Sequence, residues 1–257
     1  MAQRMNPSEA ATNLASKSNT DTGQLWERFA ETDAYRYILT SMETRDPSEF
    51  WQSGERTVRV ELLPTIQANA VRTSMGLEVG SGVGRLALPL SRHFKQVLGV
   101  DISRGMVQRA NSCAQDNGVG NVSFIPICGP EDFLTRVGNY AGSCDFIYSL
   151  LVFQHIADFS IIEGYLQVIR ILLHEQGVAY LQFDTRPQSL AYRLKTHLPD
   201  SLLPRFWRRG IRRIRRSPEE VAASMRRAGL RIVAELTPRT AYHRYVLRIA
   251  DRRANSK

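Results

Sequence analysis

The sequence is poor in cysteine. Its three residues, Cys113, Cys128 and Cys144, form no CxxC pair, which excludes a stapled secreted scaffold and a structural zinc site built on paired thiolates. A reducing compartment, the cytoplasm, is the expected setting. No clean apolar run long enough to span a bilayer is present either. The most apolar stretch, 146–173, is broken by Gln154, His155, Asp158, Glu163 and Arg170, whereas a span needs about 20 uninterrupted residues. Residues 1–20 lack a signal peptide's apolar segment and an Arg-rich amphipathic pattern, and read as a loose tail. With only 17 Gly and 11 Pro in 257 residues, collagen-like and low-complexity chains are excluded as well.

What is present is an α/β pattern. From residue 75 onward short apolar runs alternate with amphipathic stretches, the mark of βαβ units and a mainly parallel sheet. Strands are expected at 75–79, 96–100, 122–127, 146–150 and 178–183, with two more at 230–236 and 241–249. Ser103 is placed to cap a helix in which Met106, Val107, Ala110, Cys113 and Ala114 share one face. Ile161, Ile162, Tyr165, Leu166, Ile169, Leu172 and Leu173 make a second apolar stripe, with Gly177 marking its end. Ser217-Pro218-Glu219-Glu220 is a helix start, with a capping Ser, Pro at the first position and acids in the first turn. Two segments lie outside the alternation: a helical region at 21–70, and 186–216, rich in Leu, Pro and Arg.

The formal net charge is +9, and seven arginines without an acid fall between Arg205 and Arg216. This block, interleaved with Phe206, Trp207, Ile211 and Ile214, has three readings: a site for an anionic substrate or membrane headgroups, a solvated amphipathic helix, or a nucleic-acid contact.

The chemistry concentrates in Leu77-Glu78-Val79-Gly80-Ser81-Gly82-Val83-Gly84-Arg85, an apolar strand running into a glycine turn. Such a turn lets a ligand approach the backbone closely. The glycines give GxGxG. A dinucleotide fingerprint, GxGxxG, would need glycine where Arg85 stands, so a nicotinamide cofactor is disfavoured. Asp101, at the end of the second strand, is a carboxylate able to accept hydrogen bonds from the vicinal hydroxyls of a ribose.

Glu78, the three glycines and Asp101 together resemble the S-adenosyl-L-methionine site of class I methyltransferases. Asn121-Val122-Ser123-Phe124 leading to Gly129-Pro130-Glu131-Asp132-Phe133 is similar to that family's adenine segment, and 145–149 with 152–156 to its fourth strand and the motif after it. The resemblance covers residues 75–185 and implies a doubly wound, seven-stranded, mostly parallel sheet with an antiparallel last strand. It implies cofactor contacts from Glu78, Gly80, Ser81, Gly82, Gly84, Arg85, Asp101, Ile102, Met106, Cys128, Gly129, Pro130, Glu131, Ser149 and Leu150. Cys128 departs from the pattern, standing where many members carry Asp or Asn, so adenine recognition passes to the Gly129 amide, Glu131 or Asp132. Glu78 either approaches the methionine amino group or stabilises the loop.

The chain most resembles bacterial small-molecule methyltransferases of secondary or cell-envelope metabolism. On that resemblance it is expected to be a single domain over 21–257, with 21–70 covering a core at 71–185, a basic cap at 186–216 and a closing helix and strands at 217–257. The expected reaction moves a methyl group to an O or N atom of a small or lipid-linked, possibly anionic acceptor, with no metal. A tRNA or rRNA methyltransferase and a non-catalytic cofactor-binding module remain as alternatives. His155, just past the fourth strand, is either a general base or a packing residue; Tyr242 and His243 on the last strand are weaker candidates.

Overall fold

A computed structural model describes residues 20–38, 46–198, 202–203 and 213–250. The tail expected at 1–20 therefore falls, apart from Thr20, outside the described residues, as do Arg205, Arg208, Arg209 and Arg212. Two helices come first, α1 (Thr20–Ile38) and α2 (Pro47–Thr57). Pro47 opens α2 at a position where its missing N–H costs nothing, and the Asp46 carboxylate accepts the Ser48 N–H at 2.8 Å. One wide turn, Val58–Leu62, leads on to α3 (Leu63–Ala68).

The alternating region then unfolds as β1 (Met75–Val79), α4 (Ala87–Ser91), β2 (Gln96–Asp101), α5 (Arg104–Asp116), β3 (Val122–Pro126), α6 (Pro130–Val137) and β4 (Cys144–Ser149). After these come α7 (Phe159–Leu172), β5 (Leu173–Phe183), α8 (Leu190–His197), α9 (Pro218–Arg227), β6 (Leu230–Leu236) and β7 (His243–Ile249). Both expected caps form: Ser103 Oγ accepts the Met106 N–H and Ser217 Oγ the Glu220 N–H.

The seven strands make one sheet in the order β3-β2-β1-β4-β5-β7-β6. The ladders from β3 to β5 are parallel, and β7 is antiparallel to both neighbours. Side chains alternate across the sheet, so Ile147 enters the core beneath α7 and α9 while Phe146 and Tyr148 enter the core beneath α3, α4 and α5. Strand order reverses between β1 and β4, and the crevice outside the carboxyl ends of these two strands is where open α/β sheets bind ligands.

One boundary differs from expectation. No turn separates α7 from β5: the helix ends at Leu172 and Leu173 already pairs with Cys144, with an irregularity in the ladder before Phe146. Gly177 sits at this irregularity rather than at a helix end, because a Cβ there would stand 2.8 Å from the Cys144 carbonyl oxygen.

The start of β1 depends on a buried acid. The Asp145 carboxylate accepts the N–H groups of Ser74 and Met75, each at 2.9 Å, and is 1% exposed. Asp145→Ala leaves two backbone donors without their partner, each costing about 1–3 kcal/mol. Thermal or urea unfolding should show a loss of at least about 2 kcal/mol by that reckoning; a change under 0.5 kcal/mol, the usual range for an inert surface position, would show that the contact carries no stability.

Candidate functional site

The cleft lies at the carboxyl ends of β1, β2 and β4. The chain leaves β1 into the glycine turn with positive φ at Gly80 (77°), Gly82 (53°) and Gly84 (86°), backbone that residues with a Cβ rarely adopt. The amides of Gly80 and Ser81 donate to the Val100 carbonyl at 2.7 and 3.0 Å. Asp101 completes the junction: one carboxylate oxygen accepts the Gly82 N–H at 2.8 Å, the other the Ser103 N–H at 2.9 Å. Burial raises the Asp101 pKa, while these amides pull it down.

Glu78 is 3% exposed, with the Tyr148 hydroxyl donating to it at 3.2 Å. Burial pushes its pKa up to about 8, against the downward pull of the Arg85 guanidinium and that hydroxyl. Arg85 is itself buried and donates to Ser53 Oγ at 3.3 Å, so it ties α2 to the turn.

Of the residues expected to hold a cofactor, the cleft brings together Glu78, Gly80, Ser81, Gly82, Arg85, Asp101, Ile102, Met106 and Leu150, and His155 lines it too. Gly84, Cys128, Gly129, Pro130, Glu131 and Ser149 are not among its lining. Gly84, Ser149 and Cys128 have a structural account. A Cβ at Gly84 would stand 2.8 Å from the Phe124 ring. Ser149 is fully buried, donating to the Val79 carbonyl at 2.8 Å. The Cys128 amide donates to Asp132 at 2.8 Å, in the turn that starts α6 at Pro130, and the residue of this segment that reaches the cleft is Ile127.

Val152 and Ile156, from the segment after the fourth strand, line it as well, whereas three lining residues had no motif to announce them: Trp26, Leu151 and Tyr165. Tyr165 belongs to the apolar stripe of α7, which could be read only as a packing face. Trp26 arrives on α1, which is held by a carboxylate: Glu27 accepts the Gly105 N–H at 3.0 Å and the Ser103 hydroxyl at 2.8 Å, a negative group at the amino end of α5, where the helix dipole favours it. Leu151 has φ 64°, a conformation without a sequence signature in leucine.

The His155 ring lies 5.7 Å from Trp26 at an interplanar angle of 73°. Gln182 Nε2 donates to the Gln154 amide oxygen at 3.3 Å, which turns the Gln154 amide nitrogen toward His155 Nε2, 3.2 Å away. With that nitrogen accepting, the imidazole proton is assigned to Nδ1. His243 is not in the cleft: it is fully buried, with Glu235 at 2.9 Å on one nitrogen and the Thr185 hydroxyl at 2.8 Å on the other. Tyr242 is 40% exposed, with the Arg213 guanidinium 5.1 Å from its ring centroid. Among the described residues no cluster of side chains could hold a metal ion.

The donor set suits a nucleoside that carries an ammonium group. Ser81 Oγ is buried with no hydrogen-bond partner among the described residues. Each Asp101 oxygen has accepted one N–H and retains acceptor capacity, and a buried carboxyl at Glu78 would gain from an adjacent cation. Ile102, Met106 and Ile127 add apolar wall for a flat base.

Residues 77–177 match the family described as methyltransferase domain. The chain is similar in structure to magnesium protoporphyrin IX methyltransferase from Synechocystis crystallised with bound SAH (TM-score 0.60, 19% identity, 88% of this chain and 98% of that one). It is likewise similar to an S-adenosylmethionine-dependent methyltransferase from Clostridium acetobutylicum (TM-score 0.59, 14% identity, 88% and 100%). Among curated proteins it is 31% identical over 105 residues to a 23S rRNA (uracil(1939)-C(5))-methyltransferase of Legionella pneumophila, covering 37% of this chain. The match spans 23% of that relative's length.

The raised pKa of Glu78 has a thermodynamic sign. A carboxyl that is neutral in the folded state up to about pH 8 gives its full stability below its ordinary pKa of 4.5 and loses it as pH rises toward 8. From this group alone, stability should fall between those limits by up to about 1.4 kcal/mol per pH unit. Glu78→Gln should flatten that slope in unfolding measured from pH 5 to 9. Parallel wild-type and variant profiles would remove Glu78 as its source.

Proposed function

We propose that the protein is an S-adenosylmethionine-dependent methyltransferase of the class I fold that transfers a methyl group to an O or N atom of a small or lipid-linked acceptor, a reading supported by the match of residues 77–177 to a methyltransferase domain and by the likeness in fold to methyltransferases. The observation that carries this reading is the covered cleft. Helix α1, fixed through Glu27 to the amino end of α5, brings Trp26 to the same cavity as Tyr165, Leu150, Ile156 and His155. A chamber walled in this way favours a compact or chain-like acceptor over a folded macromolecule.

When bound, S-adenosylmethionine supplies a methyl group on a positively charged sulfur, which leaves as a neutral thioether. The chain's own residues bind and orient. Asp101 would accept the ribose hydroxyls while its bonds to Gly82 and Ser103 keep it in place. The unpartnered Ser81 hydroxyl would meet the polar end of the cofactor, and Glu78 would face its amino group. Such positioning is worth up to about 7–11 kcal/mol of the barrier, so no nucleophilic side chain is required. His155 would take the proton of the acceptor on Nε2, giving up the hydrogen bond which that nitrogen accepts from the Gln154 amide.

An RNA acceptor is the second reading, favoured by the likeness to rRNA methyltransferases and by the basic charge. The deciding experiment incubates the protein and labelled donor separately with metabolite, lipid and RNA fractions of cells. Label in small molecules or lipids supports the proposal, and label confined to RNA replaces it.

Two variants test the roles. Asp101→Ala should weaken binding of S-adenosylhomocysteine by about 1.5–3 kcal/mol, the loss of hydrogen bonds to a charged acceptor; calorimetry showing unchanged affinity would remove Asp101 from the ribose site. With the acceptor in hand, His155→Asn should lower kcat by at least about 100-fold and abolish the acidic limb of the pH profile. S-adenosylhomocysteine affinity should stay within about threefold, under roughly 0.7 kcal/mol. A near-normal kcat with an unchanged profile would leave His155 a packing residue.

A further inference from the structure

Helix α8 turns a row of leucines outward. Leu190, Leu194 and Leu198, the last just beyond the helix end, are 74%, 63% and 42% exposed, and Leu202 is 70% exposed. Residues four apart share one helical face. The opposite face is fixed: Tyr192, about 200° around the helix from Leu190, is 7% exposed. The Arg215 guanidinium sits 4.5 Å from its ring centroid, and its hydroxyl accepts the Arg215 N–H at 3.0 Å. With Tyr192 anchored inward, the leucine face is directed outward. Single exposed aliphatics are ordinary on a protein surface, but here four of the seven large hydrophobics exposed among the described residues fall within thirteen positions.

The charge is gathered in the same stretch of sequence. Residues 186–216 contain ten Lys and Arg against one acid, Asp200, a net charge of +9 that equals the formal charge of the whole chain. The remaining sequence is neutral. Arg193, between two of the leucines, is exposed.

We propose that the leucine face of α8 is a docking surface for an anionic lipid bilayer, the leucines entering the boundary between headgroups and acyl chains and Arg193 beside them meeting lipid phosphates. An apolar face beside excess basic charge is the composition of an interfacial helix, and each basic residue near an anionic surface adds about 1 kcal/mol of attraction. An RNA partner would account for the arginines but leave the leucines in water, since RNA contacts rest on phosphate charge and on stacking against aromatic or Arg planes. A second copy of this chain would bring two segments of like charge together. The far end of the same segment reaches the cleft wall: the Ile214 N–H donates to the Gln154 carbonyl at 2.7 Å, and Arg216 donates to the carbonyls of Ile156 and Ala157 at 2.8 and 2.9 Å.

Flotation of the full chain with phosphatidylglycerol or phosphatidylcholine vesicles tests this. Binding should be at least about tenfold stronger to phosphatidylglycerol, a difference of roughly 1.4 kcal/mol, and should weaken with salt. The triple variant L190S/L194S/L198S should lose at least about tenfold of that binding while its S-adenosylhomocysteine affinity is unchanged. That second measurement separates failure of this surface from failure of the methyltransferase reading. The proposal is overturned if phosphatidylglycerol vesicles are not bound, or if the triple variant binds them as well as wild type, which would leave charge alone as the attraction. It is equally overturned if the same substitutions dissolve a dimer in sedimentation, assigning the face to a second copy, or if only RNA is bound.

Discussion

Two backbone N–H groups on one carboxylate hold the cleft together. Asp101 receives the Gly82 amide from the turn after β1 and the Ser103 amide from the turn after β2, so neighbouring strand tips are joined through a side chain as well as through the Val100 carbonyl. The glycine turn could not otherwise hold three positive-φ residues in one path, since glycine loses the most conformational freedom on ordering. The same carboxylate is the candidate ribose ligand. Its structural bonds therefore pre-orient it for binding, and the cofactor finds an acceptor whose entropy has already been lost in folding.

From that junction the enclosure is built outward. Ser103 Oγ accepts the Met106 amide and donates to Glu27, so a single hydroxyl links the turn after β2 to the cap of α5 and to the covering helix α1. Phe29 and Ala30 of α1 pack with Val83 of the glycine turn and with Met106. The cover and the cradle thus share one small core, and a shift in either disturbs the other.

The strand, glycine turn and acid pattern was legible because its constraints are local: positive φ needs glycine, a buried parallel strand needs an apolar run, and a ribose ligand needs an acid at a strand tip. Trp26 and Tyr165 were not legible as cleft residues, since each belongs to an amphipathic helix whose apolar face reads the same whether it meets core or ligand. The adenine segment is instructive in a different way. The order of residues 121–133 pointed to a strand and the turn after it, where Cys128 and Glu131 are exposed while Ile127 lines the cleft, because Asp132 engages the Cys128 amide and Pro130 starts a helix there. A pattern places a segment; the hydrogen bonds inside it decide which side chain faces inward.

The segment after β4 carries backbone strain at Leu151. Leu151 in the left-handed region costs on the order of 1–3 kcal/mol, and such residues persist only where their surroundings over-determine them. Two sets of contacts do so here. From the β1 side, Val152 packs where a Cβ on Gly80 would lie, at 2.2 Å, so that glycine is needed for this contact as well as for its own φ. From the other side, Ile214 and Arg216 bind the carbonyls of Gln154, Ile156 and Ala157, and the Arg216 guanidinium lies 4.7 Å from the Phe159 ring centroid. The cleft wall that bears Leu150, Leu151, Val152 and His155 is therefore clamped between the glycine turn and the described end of the basic segment. Two of the arginines that make the chain basic, Arg215 and Arg216, are already committed to this clamp and to Tyr192, so the charge of 186–216 is partly structural at the end that meets the cleft.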